Sequence, residues 1–417
     1  MQELLEQLKK TPVVYVSRDI ERALGLSLDT EGYFIISNAT EYGKKIAEER
    51  KNILLIETQD LLDTWELLER EETKQFIESV RNTYQVSRIN LLVFKNTPQI
   101  ERICSANNWN LLNPSAKLSA QIEEKISQVD WLDELSSLLP PHYVRPCKEV
   151  MFSGAPFILQ FNRAHTGSGT ILIESLEHLQ LIQEQFPNRD VRITNFISGP
   201  MFTSNNVVLK DRVLMGNINY QITGLAPFTD NTFATIGNDW ELPHSILNSE
   251  QKEQYGKMVT AVGQKLRKSG WKGLFGIDVV LEAATGKLYL IEINARQPAS
   301  TTFESVLQRT RSKEQGTIGL STFEAHLISL LNNKVKDITL IPIETGAQII
   351  QRVTGEIKEV STQIQKEIEA LGYTVTNYEN TEPNSDVLRI QNLKKNFMLK
   401  HTVFNHYGEE IKNMLSK

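Results

Sequence analysis

Short β-branched runs alternate with amphipathic stretches over the first hundred residues. PVVYV (12–16), YFIIS (33–37), NILLIE (52–57) and INLLVF (89–94) are apolar at consecutive positions, the pattern of buried strands. ETKQFIESVRNTYQ (72–85) instead has helical spacing, with Phe76, Ile77 and Val80 on one side. Strand–helix alternation of this kind predicts a small parallel α/β domain. From 112 to 141 the pattern turns helical and ends at Pro140-Pro141. Strand-like runs return at 156–161, 170–174 and 191–197, with a helix over 175–186. NNVVLKDRVLMGNIN (205–219) reads as a hairpin turning near Lys210-Asp211. A long helix covers 248–270, capped by Asn248 or Ser249 and stopped at Gly270. After a second hairpin (276–296) come a helix (321–333), a strand (346–353), a helix (361–372) and further strand-like runs. No internal repeat or low-complexity linker interrupts the chain.

The 417 residues favour two or three domains, and 40% apolar with 23% charged residues is the make-up of an ordinary globular chain. A net charge of −6 gives no broad footing for nucleic acid, which needs a basic surface. Two cysteines, Cys104 and Cys147, provide neither a disulfide framework nor a four-ligand zinc site. The N-terminal segment lacks the charged and apolar regions of a signal peptide, and no apolar run approaches a bilayer span. These features describe a cytoplasmic, small-molecule enzyme with no membrane partner.

The most informative segment is GIDVVLEAATGKLYLIEINAR (276–296). A turn centred on Thr285 sets Asp278 directly opposite Glu292, with Cβ atoms about 4.5–5.5 Å apart. Period-two alternation puts Asn294 and Arg296 on the face of Glu292, while Ile277, Val279, Ile291 and Ile293 line the other. Two such carboxylates repel, and a hard divalent cation removes the conflict; two carboxylates with an amide oxygen suit Mg²⁺. Arg296 can grip a phosphate or carboxylate bidentately. The alternative is a hydrated polar face on an edge hairpin. NRAHTGSGT (162–170) is a glycine-rich loop between two strands, not a Walker A loop, and reads either as a phosphate-covering flap or as a plain hairpin. VRITNFISGPMF (191–202) is a strand and turn able to meet an adenine ring through its backbone.

The order of these features resembles the ATP-grasp superfamily, nearest its biotin-carboxylase-like and carbamoyl-phosphate-synthase-like branch. The likeness runs from about 113 to 330, and GAQIIQRV is similar to the strand that follows the grasp domain in the biotin-carboxylase type. It implies an N-terminal pre-ATP-grasp α/β domain (1–112), a two-lobed ATP-grasp region (113–333, flap lobe about 150–200) and a small C-terminal α+β region (334–417). By the same resemblance, Asp278, Glu292 and Asn294 hold one or two Mg²⁺ ions, and Arg296 lies near the transferred phosphate or the substrate carboxylate. Lys125 matches the family's first nucleotide lysine, and His165, Thr166, Gly167, Ser168, Gly169 and Thr170 its glycine flap. FISG (196–199) matches the adenine hinge, with Asn195, Phe196 and Ile197 facing the nucleotide. Two positions depart from the pattern: Gln160 stands where a lysine is usual, and Met201 where a ribose-binding glutamate is usual. Since all three metal ligands and the arginine remain, the expectation is an active ATP- and Mg²⁺-dependent ligase. It would activate an amino-acid-like carboxylate as an acyl phosphate and pass it to an amine or to a carrier-protein thiol. A non-catalytic nucleotide binder and a small-molecule kinase are the rivals. The chain is further expected to form a homodimer, and 217–240 to line the acceptor or carboxylate pocket, the alternative for that stretch being an ordinary loop-rich edge.

Overall fold

The apolar runs near the N-terminus form one parallel sheet in the computed structural model, which describes residues 2–162, 169–333 and 339–416. Val13–Val16, Tyr33–Asn38, Ile53–Ile56, Asn90–Val93 and the short Asn110–Leu111 lie in the spatial order third, second, first, fourth, fifth. All four residues of the first strand are buried because both faces are covered. Val14 and Val16 pack with Ile77 and Val80 of the helix Glu71–Thr83. Val13 and Tyr15 pack with Phe323 and Leu327 of a much later helix, Thr322–Leu330. That second contact is close enough that a Cβ on Gly25 would stand 2.1 Å from the Phe323 ring. The N-terminal sheet is therefore seated on the body that follows it.

A four-stranded antiparallel sheet forms a separate small lobe, in the order His142–Pro146, Asp190–Asn195, Phe157–Phe161, Thr170–Ile173. Its own core contains Leu159, Phe161, Val191 and Ile193, closed by Leu179 of the helix Leu176–Gln185. The helical stretch before it is not one element. Ala116–Glu123 and Ser127–Leu132 are separated by a turn at 124–126.

The largest sheet is antiparallel and has nine strands. Its path runs Leu288–Asn294, Gly273–Leu281, Met201–Val208, Asn219–Thr223, Thr235–Asp239, Ala347–Arg352, Asp386–Asn392, Thr374–Asn377, with Val213–Leu214 folding back on Met201–Val208 at the expected Lys210-Asp211 turn. The C-terminal strands thus continue the sheet that carries the carboxylate hairpin. The long helix Ser249–Lys268 covers one face, with Asn248 as cap and Gly270 beyond its end at φ +85°.

Two departures from the sequence reading have one cause. The stretch 217–240 contains two interior strands that bury the polar side chains Asn219, Gln221, Asn238 and Asp239 as well as the apolar Tyr220, Ile222 and Ile236. The helix Thr301–Gln315, absent from the sequence reading, likewise buries Thr301, Thr302, Glu304, Ser305 and Gln308. Hydrophobic periodicity is blind to elements whose inner face is hydrogen-bonded rather than apolar.

Glu304 illustrates that inner face. Its carboxylate accepts from Asn205, from Asn217 at 3.3 Å and from the Thr322 hydroxyl at 2.9 Å. Burial pushes its pKa up from 4.5 to about 7, against the lowering effect of these donors. A folded value above the unfolded one means that stability is full below pH 4.5 and is lost as pH rises through 7. Glu304→Gln is therefore expected to match the wild-type unfolding free energy, read from urea titrations, at pH 5 and to exceed it at pH 8.5 by about 1–3 kcal/mol.

Candidate active site

The carboxylate hairpin has the expected register where it matters. Asp278 pairs with Glu292, Ile277 with Ile293 and Gly276 with Asn294. A bulge follows Asp278, so that Val279 faces Leu290 rather than Ile291. Leu290 consequently fills the core beside Ile277, Val279 and Ile293, whereas Ile291, expected there, is only half-buried and lies outside that core. The extra residue changes which apolar side chain points inward without disturbing the polar pair.

Around that pair the charges are closely balanced. Asp278 accepts from Gln221 Nε2 at 2.9 Å and from Asn294 Nδ2 at 3.2 Å. Lys125 Nζ lies 2.9 Å from Glu292 Oε1, and Arg296 bonds Glu123, which also pairs with Lys95 of the N-terminal sheet region at 2.9 Å. Burial, and then the Glu292 charge, raises the pKa of Asp278 to about 6. Burial also acts upward on Glu292, but Lys125 and Arg296 outweigh it and hold that carboxyl below the ordinary glutamate range. The Glu292 side chain is a third exposed (33%), so it stands deep in the structure yet open to solvent.

Lys125 sits in the turn between the two short helices. Asn162, at the end of the strand Phe157–Phe161, fixes that turn: its Oδ1 accepts from the Ile126 amide at 2.9 Å and its Nδ2 donates to Glu124 at 2.9 Å. Gln160 is buried and directly opposite Arg192 in the small lobe. Arg192, which sequence reasoning missed, is also buried; it donates to the side-chain carbonyls of Gln160 and Gln128. Alternation along 191–197 could have placed it on a face, but not against Gln160.

The proposed flap is described only at its end. Gly169 O accepts from the Phe161 amide at 3.0 Å, and Thr170 Oγ1 accepts from Gln160 Nε2 at 3.2 Å. His165, Thr166, Gly167 and Ser168 lie outside the described residues. Asn195 ends its strand, and Phe196 and Ile197 lead from the small lobe into the large sheet, Asn195 and Phe196 exposed and Ile197 half-buried. Ser198 O accepts from Ala283 N at 3.0 Å, which docks this link on the end of the hairpin. A Cβ on Gly199 would stand 1.9 Å from the Leu281 carbonyl oxygen, so glycine is required at that contact. Met201 begins the strand and is half-buried.

Among the described residues no three His, Cys, Asp or Glu side chains converge as a metal-holding group. The set on the hairpin is two carboxylates and an amide. Such a set would suit Mg²⁺, and a cation held there would offset the burial and the Glu292 charge that together raise Asp278. Among the described residues no helix is long and apolar enough to cross a membrane.

Residues 122–300 match the family model of the ATP-grasp domain. No curated protein matches the sequence. Among solved structures, N5-carboxyaminoimidazole synthase from Aspergillus clavatus, in complex with ADP and 5-aminoimidazole ribonucleotide, is similar with a TM-score of 0.61 and 13% identity, over 98% of this chain and 97% of that one. N5-carboxyaminoimidazole synthetase from Staphylococcus aureus, complexed with ADP, gives 0.62 and 10% over 97% of each chain. L-amino acid ligase from Bacillus licheniformis gives 0.61 and 13%, also over 97% of each chain. The fold is shared along the whole length, with a body of the same kind on each side of the matched region. Residues 122–300 thus match the ATP-grasp domain, and the chain as a whole has the fold of these solved structures.

Proposed function

We propose that the protein is an ADP-forming carboxylate ligase whose preferred acceptor is an amine. The observation that carries this reading is the opposed Asp278–Glu292 pair, flanked by Asn294, Lys125 and Arg296 and facing the small lobe. A substrate carboxylate oxygen attacks the γ-phosphorus of ATP and ADP leaves; the amine then attacks the acyl carbon of the resulting acyl phosphate, and inorganic phosphate departs. Mg²⁺ held by Asp278, Glu292 and Asn294 would neutralise charge on the β- and γ-phosphate oxygens. Lys125 would exchange its ion pair with Glu292 for a phosphate oxygen, and Arg296 would orient the carboxylate or the transferred phosphoryl group. The 195–197 link would meet adenine, and 165–170 would shield the acyl phosphate from water. An amino-acid substrate is favoured by the likeness to an L-amino acid ligase. A carrier-protein thiol remains the second acceptor to assay.

The decisive experiment measures ADP release over a set of amino acids, with and without hydroxylamine. Hydroxamate formation supports the ligase. ADP without hydroxamate indicates a kinase, and no turnover together with retained nucleotide binding indicates a binding protein. Lys125→Ala is expected to raise the apparent KM for ATP about tenfold or more, the worth of a charged hydrogen bond; an unchanged KM removes Lys125 from the nucleotide site. Because Asp278 must lose its proton to hold a cation, the thermal shift produced by Mg²⁺ should grow from pH 5 to pH 7, across its value of about 6.

A further inference from the structure

Arg192 is a buried cation without a carboxylate of its own. It is 2% exposed and sits in the middle of the small-lobe strand Asp190–Asn195, opposite Gln160. Its Nε and Nη2 donate to Gln160 Oε1 at 2.9 and 2.6 Å, and its Nη1 donates to Gln128 Oε1 at 3.1 Å. Both acceptors are neutral amides, themselves anchored: Gln128 Nε2 donates to the Ile122 carbonyl at 2.8 Å, and Gln160 Nε2 to Thr170 Oγ1 at 3.2 Å. Among the described residues no carboxylate lies within ion-pair distance of Arg192. Buried Arg389 differs, since it has Asp386 at 3.4 Å.

Removing a guanidinium from water without a counter-ion costs several kcal/mol, and the group is held here at that cost. Desolvation accordingly depresses its pKa to about 10, partly opposed by the field of Glu292. That carboxylate is already paired with Lys125, so it leaves Arg192 without a counter-ion of its own. A divalent metal on the hairpin would add further positive charge nearby. What satisfies such a place is a polyanion. Gln160 also gains a reason: its carbonyl fixes the guanidinium, whereas a lysine there would set two buried cations side by side.

We propose that Arg192 is the small lobe's phosphate-binding cation, oriented by Gln160 and Gln128 toward the polyphosphate of the bound nucleoside triphosphate. The proposal rests on the ligase reading above, and Gln160 in it is a positioning residue. The test is calorimetric binding of ATP, ADP, tripolyphosphate and adenosine to the full chain, with and without Mg²⁺. Arg192→Gln should weaken ATP, ADP and tripolyphosphate by about 10- to 100-fold and leave adenosine unchanged. Gln160→Lys combined with Arg192→Gln moves the charge to the facing strand and should recover most of the loss. Wild-type ATP affinity in Arg192→Gln, or an equal loss for adenosine, overturns the proposal while the ligase reading stands. A wild-type chain that binds no ATP overturns both. If Arg192→Gln does not fold, Arg192→Lys and the charge-moved double variant decide: tight ATP binding in either supports the assignment, and loss in both refutes it.

Discussion

Glu292→Ala is expected to lower turnover by about 10³-fold or more while leaving the protein folded. The loss follows from position. Glu292 is opposite Asp278, pairs with Lys125 and supplies one of only two carboxylates on the polar face of the hairpin. The fold survives because this side chain is a third exposed (33%) and its removal opens no cavity in the core beneath. Lys125 and Arg296 lose a counter-charge, but both reach solvent, so the melting temperature should move by a few degrees at most. ADP release and the Mg²⁺-induced thermal shift should vanish together. Wild-type turnover in a Glu292→Ala/Asn294→Ala double variant would remove the hairpin from the chemistry.

The largest effect on stability should come from Asp239→Ala. Asp239 is fully buried, and its two oxygens accept four backbone N–H groups: Glu241 and Leu242 at 3.0 Å, Phe397 at 2.9 Å and Met398 at 3.0 Å. Alanine would leave all four donors without an acceptor inside the protein, a loss of about 3–5 kcal/mol. Asparagine keeps one oxygen and turns an NH₂ toward two other donors, so Asp239→Asn should lose about half as much. Urea unfolding followed by tryptophan fluorescence measures both. Equal stability of wild type and Asp239→Ala would mean that the C-terminal residues 397–398 are not held by this carboxylate.

The polar pairing on the hairpin was legible because alternation and a short turn fix which residues face one another, and Asp278 does oppose Glu292. The bulge that exchanges Ile291 for Leu290 was not, since it leaves no mark in a run that is apolar at every position from Leu288 to Ile291. Strands of the N-terminal sheet announced themselves by continuous apolar burial. Elements with polar interiors did not: Asn219–Thr223, Thr235–Asp239 and Thr301–Gln315 carry amides, hydroxyls and a glutamate where periodicity looks for leucine. Arg192 was hidden for a different reason. Its meaning depends on a cross-strand neighbour 32 positions away and on Gln128, which the alternation of either strand alone cannot supply.

The continuity of the nine-stranded sheet bears on how the protein can be divided. Thr235–Asp239 pairs on one side with Asn219–Thr223 and on the other with Ala347–Arg352. Truncating the chain ahead of Ala347 would strip one flank of a strand that is otherwise interior and present its open amides and carbonyls to other molecules, an invitation to self-association. Crystallographers or engineers seeking a minimal form of this protein should therefore trim loops and leave the last seventy residues attached.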